Sequence, residues 1–333
     1  MRPWCARAVL AVAMTALGGC GSGSAATRPP APTPPSTTAG RPPATPAPSS
    51  PSVPVATAPA ARPHILLVIE ENVGYQATLG ECGNGSPDPY LCSLAAEYVS
   101  VTGWYAIEHP SLPNYLDLVS GSDQGCSGDG CAGPYTAPDL GGQMTAAGIP
   151  WVAYMESMPS ACYTGFGSGD YYRQHDPFVL FSDVTGRGCT TAVQPYPGPS
   201  GLVAALGSAG APDFVWITPN VVDDMHSASI QRGDAWLRAN LSGVLGSAWF
   251  TDGGTVIVTM DENDADGSGS CCGDAAGGRV PMVVISAPDR GRGTVAKSGD
   301  HFGTLRTIEE AFGLPLLGAA REAANGDLSE LIG

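Results

Sequence analysis

Ile65-Leu66-Leu67-Val68-Ile69, running directly into Glu70-Glu71-Asn72, is the stretch on which the reading of the fold turns. An unbroken apolar run of this length, rich in β-branched residues, fits a strand covered on both faces. The same pattern returns at Trp151–Tyr154, Phe214–Thr218, Val256–Met260 and Met282–Ser286. Between these runs lie segments with helical spacing: Leu91–Val99, Leu140–Ala147, Gly201–Leu206, Asp234–Leu245 and Thr304–Phe312. Strand alternating with helix predicts an α/β fold with a mostly parallel central sheet and helices on both faces. The glycine-rich connections Gly121–Gly133 and Gly267–Gly278 read as long surface loops.

Sites in such sheets form beyond the carboxyl ends of the strands, so the residues at the end of each run carry the functional information. The first run ends in Glu70-Glu71-Asn72. Phe214–Thr218 leads into Pro219-Asn220 and then Asp223-Asp224-Met225-His226. Val256–Met260 leads into Asp261-Glu262-Asn263-Asp264. Carboxylates gathered in one place repel one another unless a cation sits among them, so a metal ion is the natural occupant. Each cluster also has a plainer use. Asp223 and Asp224 suit the cap of the next helix. Asp261 to Gly267 departs from a calcium loop, because Ala265 and Cys272 fall where ligands belong.

A serine stands where a nucleophile would. His109-Pro110-Ser111-Leu112-Pro113-Asn114-Tyr115 precedes the helical Leu116–Ser120. Ser111 suits an ordinary cap, but a helix start also holds an anion such as phosphate, and a metal there would make its hydroxyl nucleophilic. No Gly-x-Ser-x-Gly elbow and no phosphate-binding loop of the Gly-x-x-x-x-Gly-Lys kind occurs in the chain. Of the histidines, His64 opens a strand, whereas His109, His175, His226 and His301 lie in polar surroundings, the imidazole-and-carboxylate mixture that transition metals favour.

Composition narrows the partners. Of 333 residues, Lys and Arg number 15 against 31 Asp and Glu, a net charge of -16. That excludes a phosphate-backbone binder of nucleic acid, and the single lysine, Lys297, excludes a polybasic membrane patch. Arg2 and Arg7 precede an apolar run, Ala8 to Leu17, too short to span a bilayer, and Leu17-Gly18-Gly19-Cys20 looks like a bacterial lipobox. Three segments are therefore expected: a signal peptide over 1–20 with Cys20 as the lipidated residue, a disordered linker over 21–63 dense in Pro, Ala, Ser and Thr, and one folded domain over 64–333. The expected location is exported, as a membrane lipoprotein or secreted, with membrane contact only through the lipid anchor. Setting aside Cys5 and Cys20 leaves an even set for an oxidising compartment. Local pairing predicts Cys82–Cys92, Cys126–Cys131 and Cys162–Cys189, with Cys271 and Cys272 joined to each other or unpaired.

In order, the motifs Ile69-Glu70-Glu71-Asn72, His109 to Tyr115, Thr218-Pro219-Asn220 with Asp224-Met225-His226, Gly233-Asp234-Ala235-Trp236-Leu237, Asp261-Glu262, and His301 with Leu305-Arg306-Thr307-Ile308-Glu309 resemble the bacterial and fungal phosphoesterases. That family joins acid phosphatases and phospholipases C, and it is similar to the alkaline phosphatase superfamily, whose fold the resemblance implies. It covers about His64 to Gly318. It implies metal-assisted phosphoryl transfer through a phosphoserine on Ser111, with Asn114, His109 and His175 contacting substrate. Glu71, Asn72, Asp261 and Glu262 are expected to hold at least one divalent ion, Ca²⁺, Mg²⁺, Mn²⁺ or Zn²⁺. Asp224, His226 and His301 match a second metal position. In relatives that look as if they keep one metal, they bind phosphate or protonate the leaving group instead. Asp176 departs from the family's His-Asn-Pro-Phe stretch. The expected activity is a phosphomonoesterase on a small phosphate ester or a phospholipid head group. The alternatives are a phospholipase C-type phosphodiesterase, a phosphoinositide phosphatase, and a non-catalytic lipoprotein that captures an anion or a metal.

Overall fold

The computed structural model describes residues 62–186, 188–263, 270–272, 275–286 and 291–332. The expected signal peptide, Cys20 and nearly all of the expected linker lie outside them, as does Asp264. The strands are β1 (His64–Glu70), β2 (Val99–Tyr105), β3 (Trp151–Met155), β4 (Gly167–Ser168), β5 (Tyr171–Tyr172), β6 (Val193–Pro195), β7 (Phe214–Thr218), β8 (Gly254–Met260), β9 (Arg279–Ile285) and β10 (Gly293–Asp300). Eight of them form one sheet in the order β10-β2-β9-β8-β1-β7-β3-β6, and β4 and β5 make a small hairpin. Within the sheet only β9 runs against its neighbours. The helices are α1 (Pro89–Glu97), α2 (Ser111–Ser120), α3 (Leu140–Ala146), α4 (Ser182–Gly186), α5 (Cys189–Ala192), α6 (Gly198–Leu206), α7 (Ile230–Leu245), α8 (Ala248–Thr251) and α9 (His301–Phe312). They pack in two groups, α1, α6 and α8 against α7, and α3 and α9 against α2.

All five apolar runs are strands, and the three that end in acidic clusters, β8, β1 and β7, are neighbours at the centre of the sheet. Every residue of β7 and β8 is buried, which explains why they read as unbroken apolar runs. The expected helix Leu91–Val99 is shorter. It ends at Glu97, and Val99 opens β2, whose Val, Ser, Val, Thr series favours an extended chain. Neither β2 nor β10 has a continuous apolar run: β2 is interrupted by Ser100, Thr102 and Gly103. β10 lies at the sheet edge and alternates half-buried with exposed residues. Ser286 lies just past the end of β9. Disulfides join Cys82–Cys92, Cys126–Cys131, Cys162–Cys189 and the adjacent Cys271–Cys272, as local pairing predicts.

Candidate active site

Ser111 is the first residue of α2, where backbone N–H groups lack partners within the helix. The turn that delivers it is tied down from two sides. On one side, segment 276–278 pairs with residues 106–107: Ala106 N donates to Gly278 O at 2.9 Å and Ala276 N to Ile107 O at 2.7 Å. This approach needs Gly277, since a Cβ there would lie 2.6 Å from the Glu108 carbonyl oxygen. On the other side is Asn114. Its Oδ1 accepts from Ile107 N at 2.9 Å and Glu108 N at 3.1 Å, while its Nδ2 donates to Glu108 O at 2.6 Å and Pro110 O at 3.3 Å. The resemblance gives Asn114 a phosphate oxygen; here both ends of its fully buried amide are engaged within its own turn. At the start of α2, Leu112 N donates to Asp129 Oδ1 at 3.1 Å, so a carboxylate already uses the anion-holding helix end.

Ser111 Oγ donates to Glu262 Oε1 at 3.2 Å, and His109 Nδ1 meets the other oxygen of the same carboxylate. Glu262 lies just past β8 beside Asp261, which accepts at Oδ1 from Asn72 N at 3.1 Å. Asn72 has φ 53°, a left-handed conformation that Asn tolerates better than most residues. Glu71 N in turn donates to Asp224 O at 2.9 Å, so the ends of β8, β1 and β7 are stitched together by the residues that carry the acids. Of the two adjacent acids, Asp223 pairs with Arg232, whereas Asp224 lies fully buried beside His175.

His175 fills the middle of this cluster. Its Nδ1 lies 3.6 Å from Asp224 Oδ2 and its Nε2 lies 2.7 Å from Glu71 Oε1. The shorter contact is an ion-pair distance without hydrogen-bond alignment, since both atoms lack a hydrogen-bond partner. Burial alone would push the imidazole pKa down, but the charges of Glu71 and Asp224 beside it carry it well above its ordinary value. For Glu71, burial raises the pKa, and the close positive charge of His175 outweighs it, so the net shift is downward. Asp261 is pushed well up by burial and by the charges of Glu71 and Glu262. Burial raises Glu262 against the lowering effect of His109. Asp224 rises to about 6, chiefly through burial. Tyr115, one helical turn beyond Ser111, stacks on His175 at 5.4 Å between ring centroids.

His301 is completely buried; Nε2 lies 2.6 Å from the Asp261 carbonyl oxygen, Nδ1 has no partner, and burial takes its pKa down to about 4. His226 is exposed, with its ring 6.0 Å from that of His175, and its backbone N donates to Asp224 Oδ1 at 2.8 Å. All the expected site residues thus gather around one end of β8, β1 and β7. Glu70, Asp129 and Tyr115 join them without having been singled out. Tyr115 was the legible one, because the i, i+4 spacing from Ser111 puts both on one helix face.

The donor chemistry fits a hard cation. Both oxygens of Glu71, Oδ2 of Asp224, Oδ2 of Asp261 and Nδ1 of His301 are buried and lack hydrogen-bond partners, a costly arrangement unless something positive completes it. As the side chains stand, no three His, Cys, Asp or Glu groups among the described residues converge as an ion's ligands would. The His175 ring, lying against Glu71 and Asp224, takes up part of that space.

Comparison with known proteins agrees with this geometry. The profile of the Phosphoesterase family matches residues 84–315. A phosphatidylinositol-3-phosphatase of Mycobacterium tuberculosis is 32% identical over 273 residues, covering 81% of this chain and 84% of that one. An acid phosphatase of Aspergillus fumigatus is 27% identical over 262 residues, 74% of this chain but only 54% of its own length. In fold, a protein of the alkaline phosphatase superfamily from Vibrio parahaemolyticus superposes with a TM-score of 0.52 at 11% identity, over 76% of this chain and 67% of that one.

Proposed function

The chain belongs to the Phosphoesterase family, whose members hydrolyse phosphoric esters, and from that premise we propose that it is an exported, metal-dependent phosphomonoesterase with Ser111 as nucleophile. One observation carries the reading: Ser111 Oγ stands at the start of α2, 3.2 Å from Glu262 Oε1, beside buried carboxylate oxygens that lack donors. Asn114 and the 276–278 segment hold the turn that keeps the hydroxyl against Glu262. Glu262, already bonded to Ser111 Oγ, takes up its proton as the oxygen–phosphorus bond forms, and the leaving alcohol departs with its own electron pair. His226, on the solvent side, supplies the proton that alcohol needs. Water then attacks phosphorus and gives a proton to His226, which restores it, while the Ser111 oxygen leaves and takes back its own proton from Glu262.

Glu71, Asn72, Asp224, Asp261 and Glu262 are the residues that would hold a divalent ion. Bound there, such an ion supplies charge for the phosphoryl oxygens and lowers the proton affinity of the serine hydroxyl. The Tyr115 ring and the tie between Asp261 Oδ1 and Asn72 N keep these side chains in register meanwhile. A monoester is favoured over a diester because the mycobacterial and Aspergillus relatives are both named as phosphatases. A phosphoinositide head group is the specific substrate that the mycobacterial relative suggests. Export rests on residues 1–20 of the sequence.

The test is chemical trapping. Nitrophenyl phosphate mixed with the enzyme and quenched in acid is expected to leave one phosphoryl group on the peptide containing Ser111. Ser111→Ala is expected to remove it and to lower turnover by roughly 10⁴-fold or more, with the melting temperature unchanged. Nitrophenyl phosphorylcholine, a diester, is expected to react far more slowly. A Ser111→Ala chain that keeps most of its rate would reject the assignment.

A further inference from the structure

Among the described residues, the large hydrophobic side chains left exposed are Phe166, 53% exposed, and Tyr172, 39% exposed. They stand on one hairpin, β4–β5, with Phe166 just before β4 and Tyr172 ending β5. A lone exposed aromatic needs no explanation, but a pair on one hairpin, where the other large apolar groups of the described residues are covered, does.

The hairpin is firmly mounted. Its Tyr171 points inward, donating to Asp176 Oδ2 at 3.0 Å, while its neighbour Tyr172 points outward by the alternation of a strand. The Cys162–Cys189 disulfide closes the base. Arg173 N donates to Phe166 O at 2.9 Å, and its guanidinium donates to Thr164 O and Cys131 O while standing 5.6 Å from the Phe166 ring centroid. The mounting leads straight to the reaction centre. Val221 N donates to Asp170 O at 3.2 Å, tying the hairpin to the loop that carries Asp224, and His175 lies two residues beyond Arg173. A small cleft of about 10 Å³ lies between the hairpin and the end of β7, lined by Tyr171, Tyr172, His175 and Asn220 among others.

Building on the phosphomonoesterase reading, we propose that this aromatic hairpin is a docking edge that seats the site on a lipid–water interface, so that the substrate is a phosphomonoester carried by a membrane lipid. Tyr172, with an apolar ring and a polar tip, suits the head-group level of a bilayer, and the Phe166 ring adds apolar surface beside it. Arg173, held beside Phe166, puts a positive charge next to the aromatic pair. The net charge of -16 and the exposed Asp170 oppose a strongly anionic surface, so the fit is to a mainly zwitterionic one. A lipid substrate is also in keeping with the relative named as a phosphatidylinositol-3-phosphatase. Neither Phe166 nor Tyr172 has a part in the reaction.

The experiment uses the full chain with Cys20→Ser, so that no acyl group contributes. Flotation with phosphatidylcholine vesicles is measured first, without turnover. Rates are then compared on vesicles carrying long-chain phosphatidylinositol 3-phosphate, on the dispersed dioctanoyl form, and on nitrophenyl phosphate. Exchanging Phe166→Ser and Tyr172→Ser together is expected to abolish flotation and to lower the vesicle rate about 10-fold or more, with both soluble rates held within about 2-fold. A parent chain that does not float, a variant whose vesicle rate is unchanged, or a variant whose vesicle and soluble rates fall together overturns the proposal. So does a concentration-dependent dimer of the parent that the variant loses, since the pair would then be a contact between copies. A parent that floats but leaves nitrophenyl phosphate untouched would reject the phosphatase reading and leave the docking edge standing.

Discussion

At the amino ends of β1 and β7, His64 and Asp213 lie 3.8 Å apart, Arg62 reaches the same carboxylate at 3.3 Å, and His64 stacks on Trp249. At the carboxyl ends of the same two strands and of β8, Glu70, Glu71, Asp224 and Asp261 are wholly buried and leave carboxylate oxygens with no donor. The first arrangement is closed: each charge has its partner inside the chain. The second is open, and among the described residues only His175 brings positive charge into its middle. A buried carboxylate without partners destabilises a fold by several kcal/mol. On the metal-dependent reading proposed above, the partner that three neighbouring strands leave missing comes from outside.

The largest effect comes from supplying or withholding that partner. Chelation is expected to lower activity by about 10³-fold, and one of Ca²⁺, Mg²⁺, Mn²⁺ or Zn²⁺ is expected to restore it. Activity alone would not show where the ion sits, so thermal unfolding is the sharper measurement. At about 100 times its dissociation constant the ion is expected to raise the melting temperature by roughly 5–10 °C, and exchanging Glu71→Gln and Asp261→Asn together is expected to erase that rise. Metal content per chain, compared between the parent and His226→Ala, then distinguishes one ion from two. Two ions in the parent and one in the variant would favour the second-metal role for Asp224, His226 and His301. An unmoved melting temperature with every ion would remove the contrast between the two ends of the sheet.

The open end was far more legible in the sequence than the frame around it. Acidic residues directly after apolar runs report their own position, because a strand that ends in Glu70-Glu71 or Asp261-Glu262 puts those groups at the sheet edge whatever the rest of the fold does. The strands that flank this centre were hidden for a physical reason. β10 lies at the edge and alternates with solvent, and β2 carries Gly103 and hydroxyl side chains where an apolar run would be expected. Side-chain allegiance was the other hidden layer. Nothing in the order of residues tells that Asp223 is committed to Arg232, or that the Asn114 amide is used up on Ile107, Glu108 and Pro110. Those choices depend on contacts made only after the chain has folded.

Asn114 allows a middle-sized test at the open end. If it positions the Ser111 turn, Asn114→Ala leaves Ile107 N and Glu108 N without acceptors, and stability is expected to fall by about 1–3 kcal/mol. Turnover is expected to fall about 100-fold through misplacement of the nucleophile, with KM nearly unchanged. If it holds substrate phosphate instead, KM rises and inhibition by inorganic phosphate weakens. Asn114→Asp keeps the two acceptor bonds and loses the two donor bonds, so the positioning role places it between the parent and Asn114→Ala in kcat.

The smallest effect belongs to the closed end and should leave catalysis alone. α2 and α9 both start at the site and finish where Gly121 meets Gly318, and Glu309 lies on α9 near that finish. Its carboxyl is buried like those at the site, but both oxygens accept from Leu317 N, at 3.0 and 3.2 Å. Burial raises its pKa from 4.5 to about 8. The folded chain therefore holds a proton there, between pH 4.5 and about 8, that the unfolded chain has released. That contribution is fully present below pH 4.5 and is lost as the pH climbs through the window to about 8. Glu309→Gln keeps an acceptor for Leu317 N and carries no titrating proton. Urea unfolding is expected to find parent and variant equally stable near the acid end of the window. Above it the variant is expected to be more stable by about 1–2 kcal/mol, a figure reduced for the solvent that still reaches the group. Turnover of nitrophenyl phosphate is expected to stay the same in both chains. A variant with the parent's pH slope would place the proton elsewhere, and one that lost activity would mean that the far end of α9 is coupled to the site that its first residue, His301, helps to build.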